Sequence, residues 1–309
     1  MANDLMPVKV KKRRFLNWSF SMAVCVSLAQ NLGAQVANDA KSAHSMRPEN
    51  VPANPALPSL FLIGDSTVRN GQGTGTGGQW GWGDWLAPYF DTNRINVVNR
   101  ALGGTSSRTF YRDQWPRTLA MIKPGDFVIM QFGHNDSSPI NDKSRARGTI
   151  KGAGDETQTI TNLITGKIEA AHSFGWYEKQ MILEARGKGA TPMVCSLIPR
   201  NTWKNGRAAG NKADYAGWAG QAAASENAPF LDINEMIART YDSLGQENVK
   251  PLFVVGAGPH TSLAGAQTNA LCVVAVLKGL KENPLAVYLS KKADGIAPAD
   301  LSQPEKTQP

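Results

Sequence analysis

The stretch Phe61-Leu62-Ile63-Gly64-Asp65-Ser66-Thr67 decides the fold. An apolar run of strand length stops at a Gly-Asp-Ser turn, as a buried strand does when it delivers a polar side chain to a sheet edge. Working outward, further apolar runs fall at about 95–99, 126–132 and 191–198, with a shorter one at 229–232. They are nearly continuous rather than alternating, which marks parallel strands covered on both faces. Helical patterns lie between them, at about 79–90, 113–122, 175–189, 211–226, 232–244 and 261–280. Right-handed crossovers between such strands give a mostly parallel, five-stranded sheet with helices on each side.

Three later segments share the placement of Ser66. Asn99-Arg100-Ala101-Leu102-Gly103-Gly104-Thr105-Ser106 follows the second strand, and its paired glycines let an amide N–H approach a ligand. Gly133-His134-Asn135-Asp136 follows the third and presents a side-chain amide. Pro259-His260-Thr261-Ser262-Leu263-Ala264-Gly265-Ala266 opens the last long helix. A hydroxyl, a backbone donor, an amide donor and an imidazole are what acyl transfer requires. Among the four histidines, His44 lies in a polar lead-in, His172 has no partner motif, and His134 stands beside the more suitable Asn135. His260 is left as the base.

These four segments resemble the blocks of the GDSL, or SGNH, hydrolases. The resemblance continues through Gly148-Thr149-Ile150-Lys151-Gly152, Phe174-Gly175-Trp176-Tyr177 and Ser196-Leu197-Ile198-Pro199-Arg200, which are similar to the rhamnogalacturonan acetylesterase branch. It covers roughly residues 58 to 290. It implies a three-layer α/β/α, flavodoxin-like fold with no metal and no cofactor, and removal of acetyl groups from pectic polysaccharide. Ser66 is then the nucleophile and His260 the base. The amides of Ser66 and Gly104, with the Asn135 side chain, form the oxyanion hole. The family's aspartate three residues before the histidine is absent: the chain reads Gly256-Ala257-Gly258-Pro259-His260. A carbonyl, a water or an acid from another loop (Asp155, Glu156 or Asp214) is left to orient His260. The alternatives are a slower Ser-His dyad, a catalytically impaired polysaccharide-binding homologue, or an acetylesterase for another glycan such as xylan.

Of the 309 residues, 1–34 read as a secretory signal peptide. Lys9, Lys11, Lys12, Arg13 and Arg14 precede an apolar stretch from Phe15 to Leu28, and small residues allow cleavage after Ala34 or Ala37. The expected location is secreted or periplasmic, with no membrane association after cleavage. That segment's five basic side chains against one acid, Asp4, account for half of the formal +8. The balance excludes a strongly basic nucleic-acid surface but suits an anionic polysaccharide. Arg145, Lys151 and Arg200 are the candidate uronate contacts. Trp80, Trp82 and Trp85 read as core rather than sugar platforms. Cys195 and Cys272 read as two buried thiols. Residues 35–57 read as a poorly ordered lead-in, 58–290 as the hydrolase domain, and 291–309 as a disordered tail.

Overall fold

A computed structural model describes residues 50–210 and 213–302. The expected signal peptide and most of the lead-in lie outside the described residues. Five parallel strands form the central sheet: β1 (Ser59–Gly64), β2 (Asn96–Asn99), β3 (Phe127–Gln131), β6 (Thr191–Cys195) and β9 (Phe230–Leu231), in the order β2-β1-β3-β6-β9. Two antiparallel hairpins stand apart from it, β4 (Thr157–Thr161) with β5 (Ile168–His172), and β7 (Trp203–Lys204) with β8 (Arg207–Ala208).

Alternation along β1 divides the core. Leu60 and Leu62 enter one apolar layer with the helices α5 (Ile233–Leu244) and α7 (Leu263–Gly279). Phe61 and Ile63 enter the other, against α1 (Ser107–Asp113), α3 (Phe174–Gly187) and α4 (Tyr215–Ser225). Both faces of the sheet are therefore dry, which explains the unbroken apolar run and gives three α/β/α layers. Each such side chain contributes about 1.5–3 kcal/mol through burial. The two short helices α2 (Trp115–Leu119) and α6 (Gln246–Val249) complete the α-helices among the described residues.

Five expectations need correction. Residues 79–90 form not a helix but two 3₁₀ turns, Trp82–Trp85 and Ala87–Tyr89. A Cβ on Gly81 would lie 2.2 Å from the Val68 backbone, so this segment is built for close approach to the turn after Ser66. The helix expected at 113–122 is the shorter α2, with Pro116 in its first turn, and a separate helix, α1, precedes it. The apolar patterning places no element between 132 and 175, yet β4 lies there, its side chains exposed except Ile160. The tail expected to be disordered is packed as far as residue 302: Ala293 is fully buried, and Ile296, Ala299 and Leu301 lie against the core. Lys278 Nζ ties it down by donating to the carbonyls of Ala293 and Ile296. Residues 50–57, expected to be loose, are turns fastened by paired Asn54–Asn96 hydrogen bonds of 2.9 Å.

Candidate active site

Ser66 leaves β1 on a turn in which the amides of Val68 and Arg69 donate to the Asp65 carbonyl. The Asp65 carboxylate accepts from the Thr67 amide and hydroxyl at 2.8 and 2.7 Å. Beneath it runs a buried polar chain. Trp82 Nε1 donates to Gln131 Oε1 at 2.8 Å, and Gln131 Nε2 donates to the Thr67 hydroxyl at 2.6 Å. Gly64 must lack a side chain here, since a Cβ would meet the Gln131 carbonyl and Val68 Cγ2, each at 2.5 Å. Burial pushes the Asp65 carboxyl up to about 6, against the Thr67 bonds that lower it.

His260 comes to the same edge from the start of α7. Its Nε2 lies 2.8 Å from Ser66 Oγ across 194 residues of sequence. The loop is braced on both sides: the Val254 amide donates to the His260 carbonyl, and Trp80 and Thr261 pair through their backbones. Burial and then the Arg200 cation hold the imidazole below its usual pKa, with a bond to the Ala257 carbonyl opposing them. That carbonyl belongs to the very residue that stands where a carboxylate was expected. Among the described residues no carboxylate bonds to His260. Asp155 is committed elsewhere, to Lys179 at 2.6 Å.

The donors gather around Ser66. A Cβ on Gly103 would stand 3.5 Å from Ser66 Cβ. Gly104 has φ +85°, and its carbonyl accepts from Arg147 Nη1 at 2.7 Å. The amide N–H groups of Ser66 and Gly104 have no acceptor among the described residues. Asn135 Nδ2 donates one hydrogen to the Thr105 carbonyl at 2.8 Å, which leaves its second N–H available. Two unpartnered amides beside a hydroxyl–imidazole pair can hold a developing oxyanion.

Asp136, next to Asn135, joins the turns. Its carboxylate accepts from the Ser107 amide and hydroxyl and from the Gly133 amide, and burial lifts it to about 7. His134 is buried with neither ring nitrogen hydrogen-bonded among the described residues, and burial takes its pKa down to about 3. It is an uncharged neighbour. His172 stacks on Trp176 at 3.7 Å. Trp82 and Trp85 are core, and Trp80 packs edge-on against Trp85 at 5.2 Å.

The candidate substrate cations take three positions. Arg145 Nη1 lies 3.2 Å from where a Gly104 Cβ would sit. Lys151 lines a cleft of about 640 Å³ with Asp136, Thr149 and Tyr215, the stretch that continues from Asn135. Arg200 Nη1 lies 3.7 Å from a Gly258 Cβ, next to the His260 loop. Sequence reasoning missed two supports. Arg108, fully buried, bonds Glu169 and the carbonyls of Ile140 and Gly148, and so fastens both the loop after Asn135 and β5. Gln131 stands in sequence inside the apolar run 126–132, and that polar exception was its only signal.

Comparison with known proteins shows the family and the fold. The profile of the GDSL-like Lipase/Acylhydrolase family matches residues 62–267, and the chain belongs to that family. It is 29% identical over 214 residues to the rhamnogalacturonan acetylesterase of Emericella nidulans, covering 69% of this chain and 81% of that one. It is 31% identical over 229 residues to YesY of Bacillus subtilis, named a probable rhamnogalacturonan acetylesterase, covering 72% and 92%. The crystal structure of YxiM from Bacillus subtilis superposes with a TM-score of 0.58 at 26% identity, over 72% of this chain and 56% of that one. The protein is a carboxylic ester hydrolase with the three-layer SGNH fold.

Proposed function

We propose that the chain is a serine acetylesterase that removes acetyl groups from a uronate-bearing polysaccharide of the rhamnogalacturonan type. The observation that carries it is the 2.8 Å contact between Ser66 Oγ and His260 Nε2 beside the free amides of Ser66 and Gly104. The names of the two most similar relatives quoted above support the substrate class.

The steps follow from the geometry. In the tautomer that carries its proton on Nδ1, Nε2 accepts from Ser66 Oγ at 2.8 Å. Nε2 takes the Ser66 proton as Oγ bonds to the acetyl carbon. The oxyanion collects hydrogen bonds from the Ser66 and Gly104 amides and from Asn135. The carbon–oxygen bond to the sugar then breaks, and the imidazolium returns its proton to the sugar oxygen. Water repeats the sequence on the acetyl-enzyme: it gives a proton to Nε2, attacks, and releases acetate and a reprotonated Ser66. Arg145, Lys151 and Arg200 face the polysaccharide's carboxylates. Residues 1–34 direct export to where such a polymer is found.

Acetate release from acetylated rhamnogalacturonan, acetylated xylan and an aryl acetate tests the reading. The expected result is turnover fastest on the first and lost on all three in a folded Ser66→Ala variant. Activity that survives Ser66→Ala overturns it. Ala257 favours a second reading, a polysaccharide-binding homologue with a weakened site. That protein would be retained on immobilised acetylated pectin and release no acetate.

A further inference from the structure

Arg200 follows Pro199 beyond β6 and is partly buried, yet among the described residues its guanidinium has neither a hydrogen bond nor an ion-pair partner. Its Nη1 lies 3.7 Å from where a Gly258 Cβ would stand, two residues before His260, and its charge lowers the pKa of His260, His134 and Asp65. Among the described residues, the ionisable groups whose charge couples to the imidazole are Arg200 and His134, and His134 is uncharged at neutral pH.

This creates an electrostatic difficulty. During acyl transfer His260 becomes an imidazolium. A triad carboxylate would favour that charge, but residue 257 offers a carbonyl dipole instead. Arg200, a full cation, opposes it. The free enzyme thus has one positive charge too many beside its base, and an anion on Arg200 would remove the opposition. A guanidinium takes a carboxylate through two parallel N–H bonds, and every donor of this one is available.

We infer that Arg200 holds a carboxylate of the substrate itself, a uronate near the acetylated sugar, and that this anion supplies the charge compensation Ala257 cannot give His260. The inference rests on the esterase reading and adds to it a reason for preferring acidic glycans in turnover and not only in binding. Arg200 acts as a specificity and positioning residue, and the substrate completes the catalytic electrostatics.

The test uses the mature protein with two substrates: an acetylated uronic-acid oligosaccharide, and the same oligosaccharide with its carboxylates methyl-esterified. Aryl acetate hydrolysis that disappears in Ser66→Ala is measured first; if it fails, the esterase reading and the inference fall together. In the wild type, methyl-esterification should lower kcat at least about tenfold, the scale of one charge acting on a nearby group. Arg200→Gln should raise kcat on the neutral substrate, lower it on the acidic one, and move the acid limb of the pH–rate profile upward. Arg200→Lys should keep part of the discrimination. Ala257→Asp should speed the neutral substrate at least about tenfold, a small share of what a triad carboxylate supplies, and level the two rates. A wild type that distinguishes the substrates by KM alone, or a folded Arg200→Gln variant that keeps the kcat ratio, overturns the inference while leaving the esterase reading intact.

Discussion

Thr261 and Trp80 hold each other from both ends: the Trp80 amide donates to the Thr261 carbonyl at 2.9 Å, and the Thr261 hydroxyl donates to the Trp80 carbonyl at 2.9 Å. Thr261 is the residue after His260, so the brace sets where the imidazole stands relative to Ser66. Thr261→Val keeps the shape and removes the hydroxyl. Misplacement by a fraction of an ångström is costly in a preorganised site, so kcat on an aryl acetate should fall about tenfold. The thermal midpoint should drop by only a few degrees, the scale of about one hydrogen bond. An unchanged kcat with a lowered midpoint would reduce the brace to a structural role.

The Asn135 amide should act on the transition state rather than on binding. Asn135→Ala is expected to lower kcat by about 100- to 1,000-fold with KM within about threefold, as for loss of one oxyanion donor. It also frees the Thr105 carbonyl, so a thermal melt must accompany the kinetics. A loss confined to KM would place Asn135 in substrate binding.

The pH dependence has a definite sign. Burial and Arg200 both disfavour the imidazolium of His260, and the Ala257 carbonyl only partly offsets them. The base is therefore free below the ordinary histidine pKa of about 6.5. The acid limb of kcat/KM should fall below that value, with a plateau through neutrality. A limb above it would mean that an anion faces the imidazole in the free enzyme.

Most of this candidate site could be read in the sequence because each proposed residue follows a strand or precedes a helix. The turn at Gly64-Asp65-Ser66 and the helix start at Ser262, which caps α7 by accepting from the Gly265 amide, are local signals. What escaped depended on distant partners. The hairpin of β4 and β5 buries few of its side chains, so apolar patterning could not mark it; it is held by the reach of Arg108 to Glu169 at 2.8 Å. The tryptophan segment looked helical by spacing, but Gly81 and Gly83 press on Val68 and prevent it. The end of the chain looked unfolded by composition, although four apolar residues at 293–301 suffice to dock it. Cys195 and Cys272, by contrast, are buried and unbridged as their strand and helix settings implied.

Glu178 offers a stability test at a residue that takes no part in the proposed chemistry. It is fully buried on α3, with neither carboxyl oxygen hydrogen-bonded among the described residues. Burial, with the nearby Asp136, raises its pKa well above the ordinary value. The folded protein thus binds this proton more tightly than the unfolded chain does. Stability is fully present below the ordinary carboxylate range, near pH 4, and erodes as pH rises above it. Asp65 and Asp136, lifted to about 6 and about 7, erode it in the same direction until those values are passed. Glu178→Gln mimics the protonated acid at every pH. Urea unfolding should find the variant nearly equal to the wild type at about pH 4.5 and more stable by about 1–3 kcal/mol at about pH 8. Its remaining slope should flatten above about pH 7, where the two aspartates have finished titrating. A variant that tracks the wild type from acid to alkali would show that Glu178 is ionised in the fold and has found a partner there.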